Sequence, residues 1–397
     1  MSLAEELAIA EVNHDELVTL LASSFPLGEW RGENTVVYRA ETGEVALTLT
    51  YRGRRLADIE DGPGLSDETR ETLRDDVAAL VAADETVVWR DVFFNGFPVD
   101  GYWSYRDEWQ IVPAPPQAPR PDVMIADHPF IVELRVPWHP DRAMLMGAIQ
   151  GRRAWELQLT LNLVLRGGIK RFSARAPDHT WAFVPARDGE LRAEWVWPGY
   201  SIPDWTYQSP EFTPTDSLRP LPEVSDDVYR TRVGIGTDDV FEVPAVLGPL
   251  LDAGHAVGPE TRDRFLHACY WYERSGAAWN MSVSLGHIAA VNAIETIMPP
   301  GEVDRCPECG LNRAPGITRR FHDFVERYAP LVSKQDRDGI YKLRSSLVHQ
   351  GHQFDIDRPG PWGALVPGDQ KQRDTYQAAR IVARDAIIAW LLDQRAL

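Results

Sequence analysis

The segment Ile340-Tyr-Lys-Leu-Arg-Ser-Ser-Leu-Val-His-Gln-Gly351 sets the character of the last third of this 397-residue chain. Leu343, Leu347 and Val348 fall on one broad helical stripe, Arg344, Ser345, Ser346 and His349 are polar insertions, and Gly351 supplies the stop. Outward from it, Gly, Pro and Asn breakers bound further runs of helical period at Pro244–Asp252, Pro259–Arg274, Met281–Met298, Thr318–Ala329, Lys334–His349 and Gln370–Asp393. They predict an all-α bundle over 243–397.

Upstream the pattern is mixed, so the whole reads as α+β. Leu7 to Leu21 reads as helix in one or two pieces, with Asn13 as cap, and Leu73, Val77, Leu80 and Val81 recur at helical spacing. Val45–Tyr51 alternates as a strand. Thr86–Val92, Tyr102–Tyr105 and Glu108–Val112 are β-rich runs broken by Asn95-Gly96 and Asp100-Gly101, which are hairpin signals. Five prolines between Pro113 and Pro121 can neither donate to a ladder nor sustain a helix, which predicts a stiff linker over 113–121 between a domain at 1–112 and a mixed region at 122–242. In that region Phe130–Val136, Trp181–Val184 and Arg192–Trp197 read as strands and Pro203–Asp227 as loop. Asp141–Arg166 fits both periods, because Leu157, Leu159, Leu161, Leu163 and Leu165 alternate while Leu157, Leu161 and Leu165 repeat every four. Its length and Leu, Arg, Glu and Gln content tilt it to helix, ended by Gly167-Gly168.

Composition narrows the function classes. With 44% apolar residues and 14 Trp the chain can bury a large core. No apolar run reaches the roughly 18 residues of a membrane span, and the acidic start lacks the basic residues of an export signal, so the expectation is a cytoplasmic protein with no membrane partner. Three cysteines, Cys269, Cys306 and Cys309, are too few for a disulfide framework. Acidic residues number 59 against 41 basic, a net charge of −18, so a nucleic-acid site must be local. The basic residues are nearly all arginine, the lysines being Lys170, Lys334, Lys342 and Lys371. The nucleotide-cradle, dinucleotide, zinc-protease and serine-elbow motifs are all missing.

An Arg followed five positions later by His is weak by itself, and Arg262 with His267 gives another instance. At roughly 100° per residue Arg344 lies about 140° from His349 around the helix, so one copy does not converge them, whereas two copies across a two-fold axis could. Glu295 shares the stripe of Ile288, Val291 and Met298 and needs a partner, for which an arginine such as Arg344 is the favoured reading. Cys306 and Cys309 have the spacing of half a zinc site, with His322 twelve residues further on. The alternatives are a structural zinc completed by Cys269, another His or water, and two reduced cysteines between helices. Trp195, Trp197 and Trp205 could stack on a base, a carbohydrate or another small ligand, but buried strand aromatics explain them more simply.

The string from Tyr341 to Gly351 resembles the signature helix of the HEPN superfamily, an Arg and a His separated by four to six residues, and specifically its Apea-like HEPN branch. Arg264-Phe-Leu-His-Ala-Cys-Tyr-Trp271, Ala293-Ile-Glu-Thr-Ile297, Cys306-Pro-Glu-Cys-Gly310 and Arg320-Phe-His-Asp-Phe-Val-Glu-Arg-Tyr328 agree with it, covering about the last 140 residues. More loosely, His128-Pro-Phe-Ile-Val-Glu133, Arg152-Arg153 and Leu157–Gly168 resemble the amino-terminal region of the same bacterial proteins. The resemblance implies a homodimeric, metal-independent endoribonuclease of defence or toxin type, with both motif residues at the dimer interface and no cofactor needed for catalysis. Arg344 and His349 would be its catalytic residues, and Ser345 would orient the His or contact the phosphate. The excess of chain over what the chemistry needs suggests a sensor or regulator, with an inhibitory or trigger partner. Other members of the superfamily are inactive, which leaves a non-catalytic dimerisation or ligand-binding module as the alternative.

Overall fold

The computed structural model describes residues 3–7, 12–25, 27–53, 55–81, 85–121, 126–139, 142–171, 180–185, 190–196, 199–231, 240–279, 281–301, 304–305, 312–313, 316–357 and 369–395. The chain is α+β. It opens with the short helix α1 (Leu3–Glu6) and with α2 (His14–Ser24), whose first turn is capped as expected: Asn13 Oδ1 accepts from the amides of Asp15 (3.1 Å) and Glu16 (3.2 Å). Strands β1 (Leu27–Trp30), β2 (Thr35–Arg39), β3 (Val45–Arg52) and β4 (Arg55–Asp61) follow as an antiparallel meander in sequence order, and α3 (Asp67–Val81) completes this layer. Leu47 and Leu49 of β3 are fully buried.

The main sheet uses β5 (Thr86–Asn95), β6 (Trp103–Tyr105), β7 (Trp109–Pro113) and β8 (His128–Pro137). Its order is β5-β8-β7-β6, and this corrects two expectations. Neither Asn95-Gly96 nor Asp100-Gly101 closes a hairpin, because β5 pairs along its whole length with β8, from Thr86 opposite Pro137 to Asn95 opposite His128. The tight turn is Arg106-Asp107-Glu108 between β6 and β7, with Arg106 at φ 50°. Asn95 instead folds back locally, its Oδ1 accepting from the Phe97 amide (2.8 Å). Gly101 allows a close backbone approach, since a Cβ there would sit 2.5 Å from the Arg219 carbonyl oxygen.

The stretch 113–121 is also not a boundary between domains. It joins β7 and β8, which are hydrogen-bonded neighbours from Trp109 opposite Leu134 to Pro113 opposite Phe130. Ala114 and Ala118 are buried against Val92, Phe94, Val112, Ile131 and Ile202 on the outer face of the sheet. The prolines do exclude ladder and helix; the strands on either side simply belong to one sheet.

Helix α4 (Ala143–Val164) explains its own double periodicity. It packs on α2, on β8 and on α7 (Pro259–Ala278), so Leu157, Leu159, Leu161 and Leu163 are all buried whichever way they point. Gly167 (φ 70°) and Gly168 (φ 65°) end it. Gln158 and Asn162 donate to Glu273 Oε1 on α7 (3.0 and 3.3 Å), tying the sheet region to the helical one through a core that runs from Leu3 to Leu391.

The rest of the middle region is β9 (Lys170–Arg171), β10 (Thr180–Pro185), β11 (Leu191–Val196), β12 (Gln208–Ser209), β13 (Glu223–Val224), α5 (Asp226–Thr231) and β14 (Val243–Pro244). Strands β9 and β12 add to β5, and β10 pairs with β11. Trp195 is exposed and Trp205 packs under Arg90 (5.3 Å), while Trp197 lies outside the described residues.

From α6 (Leu247–Ala256) the chain is helical, through α7, α8 (Val283–Ile297), α9 (Ile317–Tyr328), α10 (Lys334–His349) and α11 (Asp369–Gln394), apart from the two-residue pair β15 (Asp304–Arg305) with β16 (Asn312–Arg313). Helix α11 packs on all five others. Among the described residues no helix is long and apolar enough to cross a membrane.

Candidate functional site

Helix α10 begins at a Ser333 cap, whose hydroxyl accepts from the Asp336 amide (3.1 Å), and ends at Gly351, which takes φ 65°. Its buried residues, Arg337, Ile340, Tyr341 and Leu347, face the bundle. This orientation fixes where the polar insertions go.

Arg344 points inward. Its Nη2 donates to Glu295 Oε2 of α8 at 2.8 Å, and the two side chains are 17% and 16% exposed. The pairing predicted from Glu295's place on its apolar stripe is therefore present. The Tyr341 hydroxyl also reaches Glu295, and among the described residues Arg344 Nε and Glu295 Oε1 are buried without a close hydrogen-bond partner. One turn earlier, Tyr341 stacks near Phe321 of α9 (4.8 Å between centroids), and burial first, then the Glu295 charge, raise its phenol above the usual range.

His349 points outward. It is exposed on the last turn of α10, and among the described residues no ion pair or hydrogen bond engages its ring. Ser345 is half-buried. The serine that touches a histidine is its neighbour: Ser346 Oγ lies 2.7 Å from His352 Nδ1 and donates to Gln350 Oε1 (3.0 Å). One chain thus holds Arg344 and His349 on the same helix without bringing them together.

Three other histidines were less visible in the sequence. His322 of α9 sits 3.3 Å from Asp338 of α10 through Nε2, its ring 6.4 Å from that of Tyr341, and among the described residues its buried Nδ1 has no hydrogen-bond partner. His352 lies past the helix stop, where helical spacing gives no signal. His287 of α8 is fully buried, donates through Nε2 to the Ile340 carbonyl (3.1 Å), and is pushed down to about 4 by burial, so it is neutral at physiological pH. Its role is to hold α8 on α10.

Cys306 and Cys309 lie outside the described residues; the register Arg305 opposite Asn312 flanks them. Among the described residues no group of three or more His, Cys, Asp or Glu side chains is placed to hold a metal ion. Cys269 is completely buried on α7, and burial raises its thiol well above the ordinary range.

No family model matches the chain, and no curated protein or solved structure is significantly similar to it.

Proposed function

We propose that the chain is a metal-independent endoribonuclease of the HEPN type, acting as a homodimeric defence or toxin effector whose amino-terminal region senses a trigger or partner. The observation that carries this reading is the split on α10: a guanidinium anchored by Glu295 at 2.8 Å and, five residues on, an exposed and unengaged imidazole. Such a helix, paired with a second copy, supplies what RNA cleavage by its own 2′-hydroxyl requires. Histidine side chains titrate near neutrality and so can take the 2′-hydroxyl proton as its oxygen attacks phosphorus, while a second histidine protonates the departing 5′-oxygen. The products are a 2′,3′-cyclic phosphate and a 5′-hydroxyl. An arginine stabilises the charge that grows on the phosphoryl oxygens. Ser345, half-buried one residue past Arg344, would position the phosphate. A structural zinc at Cys306 and Cys309 belongs to the same proposal, and metal analysis of the purified protein, about one zinc per chain or none, decides it.

The Arg344–Glu295 pair also favours a second reading, a non-catalytic HEPN-fold dimerisation or ligand-binding module, because a buried ion pair is what a purely structural helix contact would show. Expression of wild type, Arg344→Ala and His349→Ala in cells separates the two. Cleaved transfer, messenger or ribosomal RNA with wild type alone supports the nuclease. Intact RNA throughout, or equal cutting by all three, leaves the module.

A further inference from the structure

The stop after α10 brings the chain back over the helix it has just left. Gly351 turns the backbone at φ 65°, and three residues on Phe354 is buried, its amide donating to Ser284 Oγ of α8 (2.8 Å). His352 lies between these two fixed points, exposed, with its Nδ1 2.7 Å from Ser346 Oγ. The Ser346 hydroxyl gives its one proton to a bond with Gln350 Oε1 (3.0 Å), so towards the ring it can only accept. This assigns the tautomer. Nδ1 carries hydrogen in both the neutral and the charged imidazole, and Nε2 is the atom that takes and releases a proton.

Ser346 also sets where that ring sits. Successive helical residues turn by roughly 100°, so Lys342, Ser346 and His349 fall within about 60° of one another on one face, with Ser346 between the other two along the axis. His352 is thereby held over the turn that separates an exposed lysine from an exposed histidine. Among the described residues no carboxylate pairs with Lys342, and Asp338, one turn before it, lies 3.3 Å from His322 of α9. A free ammonium and two imidazoles therefore share one end of α10, in a chain whose net charge is −18.

We propose that His352 is the second histidine of the RNA cleavage, the acid that protonates the departing 5′-oxygen, and that Lys342 holds a phosphate of the same strand. His349 takes the 2′-hydroxyl proton as the ribose oxygen forms its bond to phosphorus. The bond from phosphorus to the 5′-oxygen breaks, and the Nε2 proton of the charged His352 passes to that oxygen, leaving His352 neutral and His349 charged. Ser346 is a positioning residue, since its oxygen accepts from Nδ1–H before and after the transfer. The inference deepens the nuclease reading and rests on it. It places acid and base on one chain and leaves Arg344, about 140° around the helix from His349, as the group a second copy must supply. Lys342 and a charged His352 also form the local positive site that a strongly acidic protein needs to hold a polyanion.

The test uses full-length protein and two 2′-O-methylated oligoribonucleotides, each with a single free 2′-hydroxyl, followed by a 5′-bridging oxygen in one strand and a 5′-bridging sulfur in the other. A thiolate leaves without being protonated, so the sulfur strand needs the base but no acid. His352→Ala should slow cleavage of the oxygen strand about a hundredfold and leave the sulfur strand within about threefold of wild type. Ser346→Ala should show the same pattern at about tenfold, and His349→Ala should lose both strands. Lys342→Ala should lower the salt slope of binding to a fully 2′-O-methylated strand by about 0.7, whereas Lys334→Ala, at an exposed lysine in the first turn of α10, should match wild type. His352 and Lys342 are exposed, so their variants should keep the wild-type circular dichroism and Tm. Equal loss on both strands in His352→Ala, or no loss on the oxygen strand, would overturn the acid, and an unchanged slope in Lys342→Ala would remove the lysine. A wild type that cuts the oxygen strand through His349 but regardless of His352, or that cuts only the sulfur strand, keeps the nuclease and removes this inference; one that cuts neither strand removes both.

Discussion

Two buried glutamates, one in the sheet and one in the bundle, are finished to different degrees. Glu133 on β8 is fully buried and every acceptor is filled: Arg90 Nε at 2.8 Å, Gln110 Nε2 at 2.6 Å, and the amide and hydroxyl of Thr213 at 2.8 and 2.6 Å. Through Thr213 it fastens the loop between β12 and β13 to the sheet. Glu295 on α8 has Arg344 and the Tyr341 hydroxyl as partners, while among the described residues its Oε1 and Arg344 Nε lack a close hydrogen bond. A satisfied network rigidifies, so the sheet network should be the costlier of the two to break. The difference sets a closed carboxylate network in the sheet against an open one in the bundle.

The largest break should come from Glu133→Ala, which strands Arg90, Gln110 and the Thr213 amide and should cost about 3–5 kcal/mol, read from the denaturant midpoint at constant m. A cost below about 1 kcal/mol would make the sheet network no more complete than the one in the bundle.

His287 should give the next largest effect. Its folded value of about 4 lies below the ordinary 6.5, so the unfolded chain binds the extra proton between those values and stability falls as pH drops through that window. The full loss is about 3 kcal/mol, and His287→Asn should flatten that part of the pH profile relative to wild type. Identical profiles would show that burial is not what tunes this histidine.

Glu295→Gln sharpens the contrast directly. Gln retains an acceptor for Arg344, so the cost should be about 1–2 kcal/mol, well under that of Glu133→Ala, with RNA cleavage retained. His349→Ala should change stability by less than about 0.5 kcal/mol, because its side chain is exposed and unengaged, yet it should abolish cleavage. A large fall in Tm would make His349 a structural residue.

Much of this was legible in the sequence, for local reasons. Helix α10 spans the expected Lys334–His349 before the Gly351 stop, and the Arg344–Glu295 pair followed from a carboxylate placed on an apolar stripe. The sheet was harder because its ladders are non-local. The partner of β5 arrives some 40 residues later, past two dipeptides that usually make hairpins, so the signals at Asn95-Gly96 and Asp100-Gly101 were outvoted by tertiary pairing. The double period of α4 could not be resolved from its own residues, because enclosure on several sides erases the amphipathic stripe. The approach of His322 to Asp338 and the seating of Arg373 on Trp279 arise between helices far apart in sequence, where no spacing rule applies.

The most direct test of a two-copy α10 site is cleavage of a single-stranded oligoribonucleotide by purified protein in chelator, with end-group analysis and a protein dilution series. The account predicts 2′,3′-cyclic phosphate and 5′-hydroxyl ends from wild type and none from His349→Ala, with specific activity falling on dilution as the dimer separates. Cutting at a specific activity independent of concentration, or undiminished in His349→Ala, would contradict it.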